Sequence, residues 1–214
     1  MTASLPFSQA SENNKRPILD ILKRHLSGKS RLLEIGGGTG QHAVFFAEQF
    51  PGLIWQSSDV ADNVASLNQR IAASALPNLP SAIALDVNDP PQLTGAEGSL
   101  ASPRAGHPAS ANYEAVFSAN SLHIMSMDSV VNFFSTVGGC LGAGGLLLVY
   151  GPFKYGGEFT TDSNAQFDIW LKQRDPVSGV RDFERVNALA VAEGLSLAED
   201  NAMPANNQLL VWRR

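Results

Sequence analysis

The stretch RLLEIGGGTGQHAVFFAEQF, residues 31–50, decides the fold. A short apolar run, RLLEIGG at 31–37, ends in glycine and reads as a buried strand. QHAVFFAEQF at 41–50 reads as a helix, stopped by Pro51 and Gly52. Between them Gly36, Gly38 and Gly40 leave the backbone bare. Glycine turns sharply and lets a ligand approach without meeting a Cβ. The start of the next helix adds unpaired N–H groups. In an open α/β sheet, ligands bind beyond the carboxyl ends of the strands, and the loop after the first strand forms one side of that crevice.

Spacing separates two kinds of ligand. A dinucleotide fold uses G-x-G-x-x-G, which sets a pyrophosphate on the helix N-terminus. Here Gln41 stands where the third glycine belongs, and the loop is one residue shorter. Glu34, in the strand, would repel a pyrophosphate but suits a cationic ligand or an orienting role. A merely tight turn is the competing reading of the loop.

Working outward, strands and helices alternate. RPILDILKRHL places Ile18, Leu22 and Leu26 four apart on a helix, with Pro17 in its first turn. LIWQSSD at 53–59 and SAIALDV at 81–87 are the second and third strands, with a helix from Asp62, a candidate cap, between them. Residues 92–112 lose periodicity and are rich in Gly, Ala, Ser and Pro, the composition of a flexible surface insertion within one domain spanning 1–214. YEAVFSAN is a fourth strand, and Val130, Phe134, Val137 and Leu141 mark a helix. GLLLVYG at 145–151 is a fifth strand. Residues 161–174 read as a helix, followed by the amphipathic RDFERVNALAVAEG. LSLAEDNAM and NQLLVWRR form a closing hairpin. The fold expected is α/β, a Rossmann-like doubly wound sheet of seven strands, mostly parallel, with an antiparallel C-terminal hairpin strand.

The composition narrows the function. A net charge of −5 argues against broad electrostatic binding to nucleic acid. The single cysteine, Cys140, rules out an internal disulfide framework and suits a reducing compartment. No apolar run reaches membrane-spanning length and no secretory signal follows Met1, so a cytoplasmic protein without a membrane partner is the expectation. No Cys/His cluster has metal spacing, and no G-x-S-x-G is present.

Two acids extend the crevice. Asp59 ends the second strand, 19 residues after Gly40. An acid there accepts from ribose hydroxyls or caps the next helix, and position alone leaves both open. Asp86 ends the third strand, where it holds an adenine amino group or closes an Asx turn before Pro90.

LLEIGGGTGQHA, SSD, ALDV and AVFSANSLHI together resemble the ordered motifs of a class I S-adenosylmethionine-dependent methyltransferase. More narrowly, ENNKRPILDIL, ALDVNDPP, FSANSLHI, YGPFKYGG, SNAQFD, RDPVSGVRD and MPANNQLLVWRR resemble the DUF938, or methyltransferase-like 26, group. The 92–112 insertion departs from that pattern. The resemblance implies S-adenosyl-L-methionine as cofactor. It implies Gly36, Gly38 and Gly40 beneath the methionine moiety, Glu34 as the acid of the first motif and Asp59 on the ribose. Asp86 and Val87 would then reach the adenine, and Asn120 would stand between cofactor and acceptor. Asn14 and Lys15 are expected near the cofactor carboxylate. His123 is either a general base or a packed structural imidazole, and His42 is expected to shape the helix start. Tyr150, Phe153 and Tyr155 are expected to wall the acceptor pocket or to close the core, with Asn164 and Asp168 facing the same pocket. The acceptor expected is a small molecule or an exposed protein side chain; SANSLH in place of the N-P-P-Y or D-P-P-Y of amino-methylating relatives speaks against a nucleic-acid base and for an oxygen or other small-molecule acceptor. A non-catalytic binding or scaffold protein and a nicotinamide-dependent oxidoreductase are the rival classes.

Overall fold

The computed structural model describes residues 5–89 and 113–214, so the insertion expected at 92–112 lies outside the described residues. α1 (Gln9–His25) starts where the Ser8 hydroxyl accepts the Ser11 N–H at 3.2 Å. It begins well before Pro17, which therefore sits inside the helix rather than in its first turn. The missing proline N–H leaves one carbonyl of the preceding turn without its helical bond. The helix continues because Ile18, Leu19 and Leu22 are buried beyond the break.

β1 (Arg31–Ile35), α2 (Gln41–Gln49), β2 (Ile54–Asp59) and α3 (Ala61–Ser74) follow. β3 is only Ile83–Ala84, much shorter than the seven residues expected. It pairs Ser58↔Ile83 and Asp59↔Ala84, after which the chain turns away at Asp86. β4 (Tyr113–Ala119) and α4 (Met127–Cys140) lead into β5 (Leu141–Gly151). β5 starts four residues earlier than its apolar run suggests, with a register shift against β4 between Tyr113 and Ala115. β6 (Phe153–Tyr155), β7 (Glu158–Phe159), α5 (Asp162–Arg174), β8 (Arg181–Asp182) and α6 (Phe183–Ala192) come next. β9 (Ser196–Met203) and β10 (Asn207–Arg213) form the closing hairpin.

The main sheet has seven strands in the order β3-β2-β1-β4-β5-β10-β9. β1 to β5 run parallel, and β10 runs antiparallel to both β5 and β9. The order reverses between β1 and β4, which opens a crevice at their carboxyl ends. A second sheet, β7-β6-β8, was not foreseen; its strands are two or three residues long, too short for alternation to show.

Alternation along the strands builds two cores. Leu32, Trp55, Phe117 and Leu148 face one side with Ile18, Leu22 and Phe46 from α1 and α2. Leu33, Val116, Leu147 and Trp212 face the other with Val130, Phe134 and Val186 from α4 and α6. Phe46, Trp55 and Phe117 form an aromatic triangle with centroids 5.4–5.6 Å apart. Among the described residues no helix is long and apolar enough to cross a membrane. Phe117→Ala removes the ring shared by these contacts and is expected to destabilise by about 3–5 kcal/mol in urea unfolding.

Candidate functional site

A cavity of about 610 Å³ opens beyond the carboxyl ends of β1 to β4. Its floor is the glycine loop. The N–H groups of Gly36 and Gly37 both donate to the Ser58 carbonyl, at 3.0 and 2.9 Å, and bend the chain off β1. Gly36 and Gly38 have φ of +81° and +54°. A Cβ on Gly36 would meet Ser121 Oγ at 2.5 Å, whereas one on Gly38 would project into open space. Gly40, also left-handed, caps α2 and packs on Leu67 and Arg70 instead of lining the cavity.

Asp59 stands beside this floor, 8% exposed. Its Oδ2 accepts the Gly38 N–H at 2.6 Å. Its Oδ1 accepts from the Val60 N–H and from Asn63 Nδ2, both at 2.8 Å. Thus Asp59 steadies the start of α3 while facing the cavity. Asp62, the candidate cap, does not serve: the cap position is Val60, and it makes no side-chain bond. Asp86, exposed, lines the cavity while its Oδ1 accepts the Asn88 N–H at 2.8 Å, an Asx turn. Val87 lies beside it, buried.

Glu34 lies beneath the loop and not in the cavity. Its Oε2 accepts from Trp55 Nε1 at 3.1 Å and Ser57 Oγ at 2.7 Å. Burial, opposed by these two bonds and aided by the Asp59 charge, pushes its carboxyl up to about 7. Gln41, the residue that displaces the dinucleotide glycine, holds α1: it accepts the Ser8 N–H at 2.6 Å and donates to the Ser8 carbonyl and to Glu12. His42 lines the cavity, stacks on Phe46 and bonds Asn14 Oδ1 through Nε2 at 2.7 Å. Burial lowers it to about 4. Asn14 thus ties α1 to α2 from behind the cavity wall. Lys15 turns to Glu12 and to the ring of Phe45.

Asn120 follows β4 with φ of +58°, lines the cavity, and donates its N–H to the Tyr150 carbonyl at 2.9 Å. A left-handed non-glycine residue at this point is a strained backbone held by its surroundings. His123 lies outside the cavity lining, edge-on to Phe167 at 5.4 Å, and burial lowers it to about 4. Tyr150 and Phe153 are buried in the two cores, and Tyr155 donates to Asp200 at 2.8 Å. Asn164 bonds Thr160 and the Asn206 carbonyl, and Asp168 bonds Lys172 and the Val180 N–H. None of these five lines the cavity. The wall is completed instead by Ile124, Met125, Asp175 and Val177. The sequence places SLHI, and with it Ile124, between cofactor and acceptor; Met125, Asp175 and Val177 carry no expected role, although RDPVSGVRD contains two of them. The charged residues among the described lining are Asp59, Asp86 and Asp175; no Lys or Arg joins them. No group of metal-ligating side chains occurs among the described residues.

Two predictions test this geometry. Gly36→Ala should lose clearly more stability in urea unfolding than Gly38→Ala, which meets only the roughly 1–2 kcal/mol of left-handed strain; Ser121→Ala should recover part of the Gly36→Ala loss. The second concerns pH. Folded Glu34 keeps its proton between about pH 4.5 and 7, where the unfolded chain has lost it, so its contribution to stability falls as pH rises through that window. His42 and His123, lowered from 6.5 to about 4, act in the opposite direction between about pH 4 and 6.5, over most of the same window. Glu34→Gln removes the Glu34 slope alone. Its stability relative to the native chain should therefore rise with pH by on the order of 3 kcal/mol, read from urea midpoints across the window.

Comparison with known proteins agrees with this architecture. An O-methyltransferase family protein from Burkholderia thailandensis superposes with a TM-score of 0.76 at 15% identity, over 96% of this chain and 57% of its own. A putative O-methyltransferase from Nostoc punctiforme gives 0.76 at 14% identity, over 95% and 56%. Human N-acetylserotonin methyltransferase, in complex with S-adenosylmethionine, gives 0.73 at 15%, over 96% and 53%. The chain thus spans a little over half the length of these structures and shares their fold. The family model described as protein of unknown function, DUF938, matches residues 5–214. With its glycine loop, strand order and closing hairpin all inside that match, the chain belongs to the DUF938 family and carries the Rossmann-like fold of methyltransferases.

Proposed function

We propose that the protein is an S-adenosylmethionine-dependent methyltransferase whose acceptor is a small molecule. The observation that carries this reading is the bare Gly38 backbone facing open space with the Asp59 carboxylate bonded to its N–H. The residues present fit an adenosyl amino acid. The volume lies within the roughly 300–1,000 Å³ of small-molecule sites. Asp59 keeps acceptor capacity for ribose hydroxyls beyond the bonds it makes, because a carboxylate offers about four lone-pair sites. Leu85 and Val87 offer an apolar surface to a base, and the Asp86 carboxyl offers an acceptor beside it. Three carboxylates and no cation among the described lining favour a positively charged ligand and disfavour a dinucleotide pyrophosphate.

When bound, this cofactor supplies an already activated methyl group. The chain's own part is alignment and exclusion of water, and alignment alone is worth several kcal/mol. The strained Asn120 fixes the end of β4 at the cavity, and Ser8, Ala10 and Ser11 of the α1 entry cover one side. His123, packed against Phe167, takes no part in this reading as a base. His42 is neutral at pH 7 and engaged with Asn14. Neither histidine is therefore the base in this reading.

Calorimetry with S-adenosylhomocysteine tests the proposal. Saturable binding is expected, weakened roughly tenfold or more by Asp59→Ala, the loss of hydrogen bonds to a charged group. No binding, or binding indifferent to Asp59→Ala, would sink it. Transfer of label from tritiated cofactor to a metabolite extract separates an enzyme from a protein that only holds the cofactor.

A further inference from the structure

The segment 175–181, which contains the PVSGVR of the sequence, is stitched to the loop after β4. The Gly179 N–H donates to the His123 carbonyl at 2.9 Å, and Ser178 Oγ to the Ile124 carbonyl at 3.1 Å. Arg181 lies across the seam. Its Nε donates to the Leu122 carbonyl at 2.9 Å, and its terminal nitrogen to the carbonyls of Met125 and Val177. Carbonyls from both segments thus take up one guanidinium. The result is a wall in which Ile124 and Val177, 59% and 54% exposed, show apolar side chains at the cavity.

Topology fixes which end of the cavity this is. β8, which follows the segment, pairs with β6, the continuation of β5. The wall therefore stands on the β4–β5 side, away from Asp59 and Asp86 at the tips of β2 and β3. The charge within it is Asp175, whose Oδ1 accepts the Val177 N–H at 3.2 Å.

Resting on the methyltransferase reading, we infer that Ile124, Met125 and Val177 form the acceptor subsite. Arg181 is its positioning residue, and the acceptor is an apolar molecule that is neutral or cationic. An anionic acceptor would face Asp175, with no cation among the described lining to offset it. The Arg181 charge is turned to backbone carbonyls and is unavailable to a substrate. The wall is held by bonds between protein groups, so little ordering opposes binding.

Three matched probes test this: p-ethylphenol, tyramine and p-hydroxyphenylacetate, titrated with and without saturating S-adenosylhomocysteine. The readout is the methyl resonances of Ile124, Met125 and Val177. The neutral and cationic probes are expected to shift these methyls saturably at millimolar concentration, with the carboxylate at least about tenfold weaker. Val177→Lys should reverse that order. Arg181→Met should weaken the two favoured probes about tenfold while leaving S-adenosylhomocysteine affinity unchanged, and Arg181→Lys should restore only part, since an ammonium cannot span the carbonyls. If Arg181→Met melts at room temperature, Val177→Lys decides alone. Equal binding of the carboxylate, no binding of the favoured probes, or an unchanged order in Val177→Lys overturns the inference. Failure of S-adenosylhomocysteine to bind overturns the cofactor reading instead, and the titration without it still judges the wall.

Discussion

The site depends on one bond, the Gly38 N–H donated to the Asp59 carboxylate across the top of β1 and β2. It joins a loop that has no side chains of its own to the tip of the neighbouring strand. Because Asp59 Oδ1 is also held by the Val60 N–H and Asn63, the carboxylate has one orientation. A charged acceptor held by several donors is both strong and directional. The loop takes its shape from that anchor and from the Ser58 carbonyl, which receives two consecutive N–H groups.

The supports behind the loop are polar and buried. Ser57 and Glu34 fill the space under Gly37, where a Cβ would come within 2.3 Å of Ser57 Oγ and 3.4 Å of Glu34 Oε2. Gln41 and Arg70 bind the start of α1 to the loop, Arg70 through the Thr39 carbonyl at 2.6 Å and the Pro6 carbonyl. Asn14 then joins that helix to His42. A low-dielectric network of this sort rigidifies when every member is bonded, which suits a site whose work is alignment.

The strands and helices around residues 31–59 were legible because their apolar periods are long and their ends are marked by glycine and proline. The position of Asp59 followed from the same pattern. Other elements were not legible, for local reasons. Pro17 suggests a helix start, yet burial of Ile18 and Leu22 carries α1 through it. β3 stops at Ala84 because its partner β2 ends at Asp59, whose carbonyl takes a last bond from the Leu85 N–H before the chain turns at Asp86. Tyr150 and Phe153 were read as pocket wall or core, and alternation along β5 and β6 sends them inward to the two cores.

By itself the sequence determined the alternating α/β order, the closing hairpin and a bare glycine bend after the first strand, since each rests on residues near one another in the chain. Only the tertiary structure decided what surrounds that bend. Asp175 and Val177 reach the cavity through a seam of bonds to residues more than 50 positions away. His123, close in sequence to Asn120, is turned beneath α5. Hydrogen bonds between distant segments leave no period or spacing in a linear chain, so their partners appear only once the sheet has brought them together.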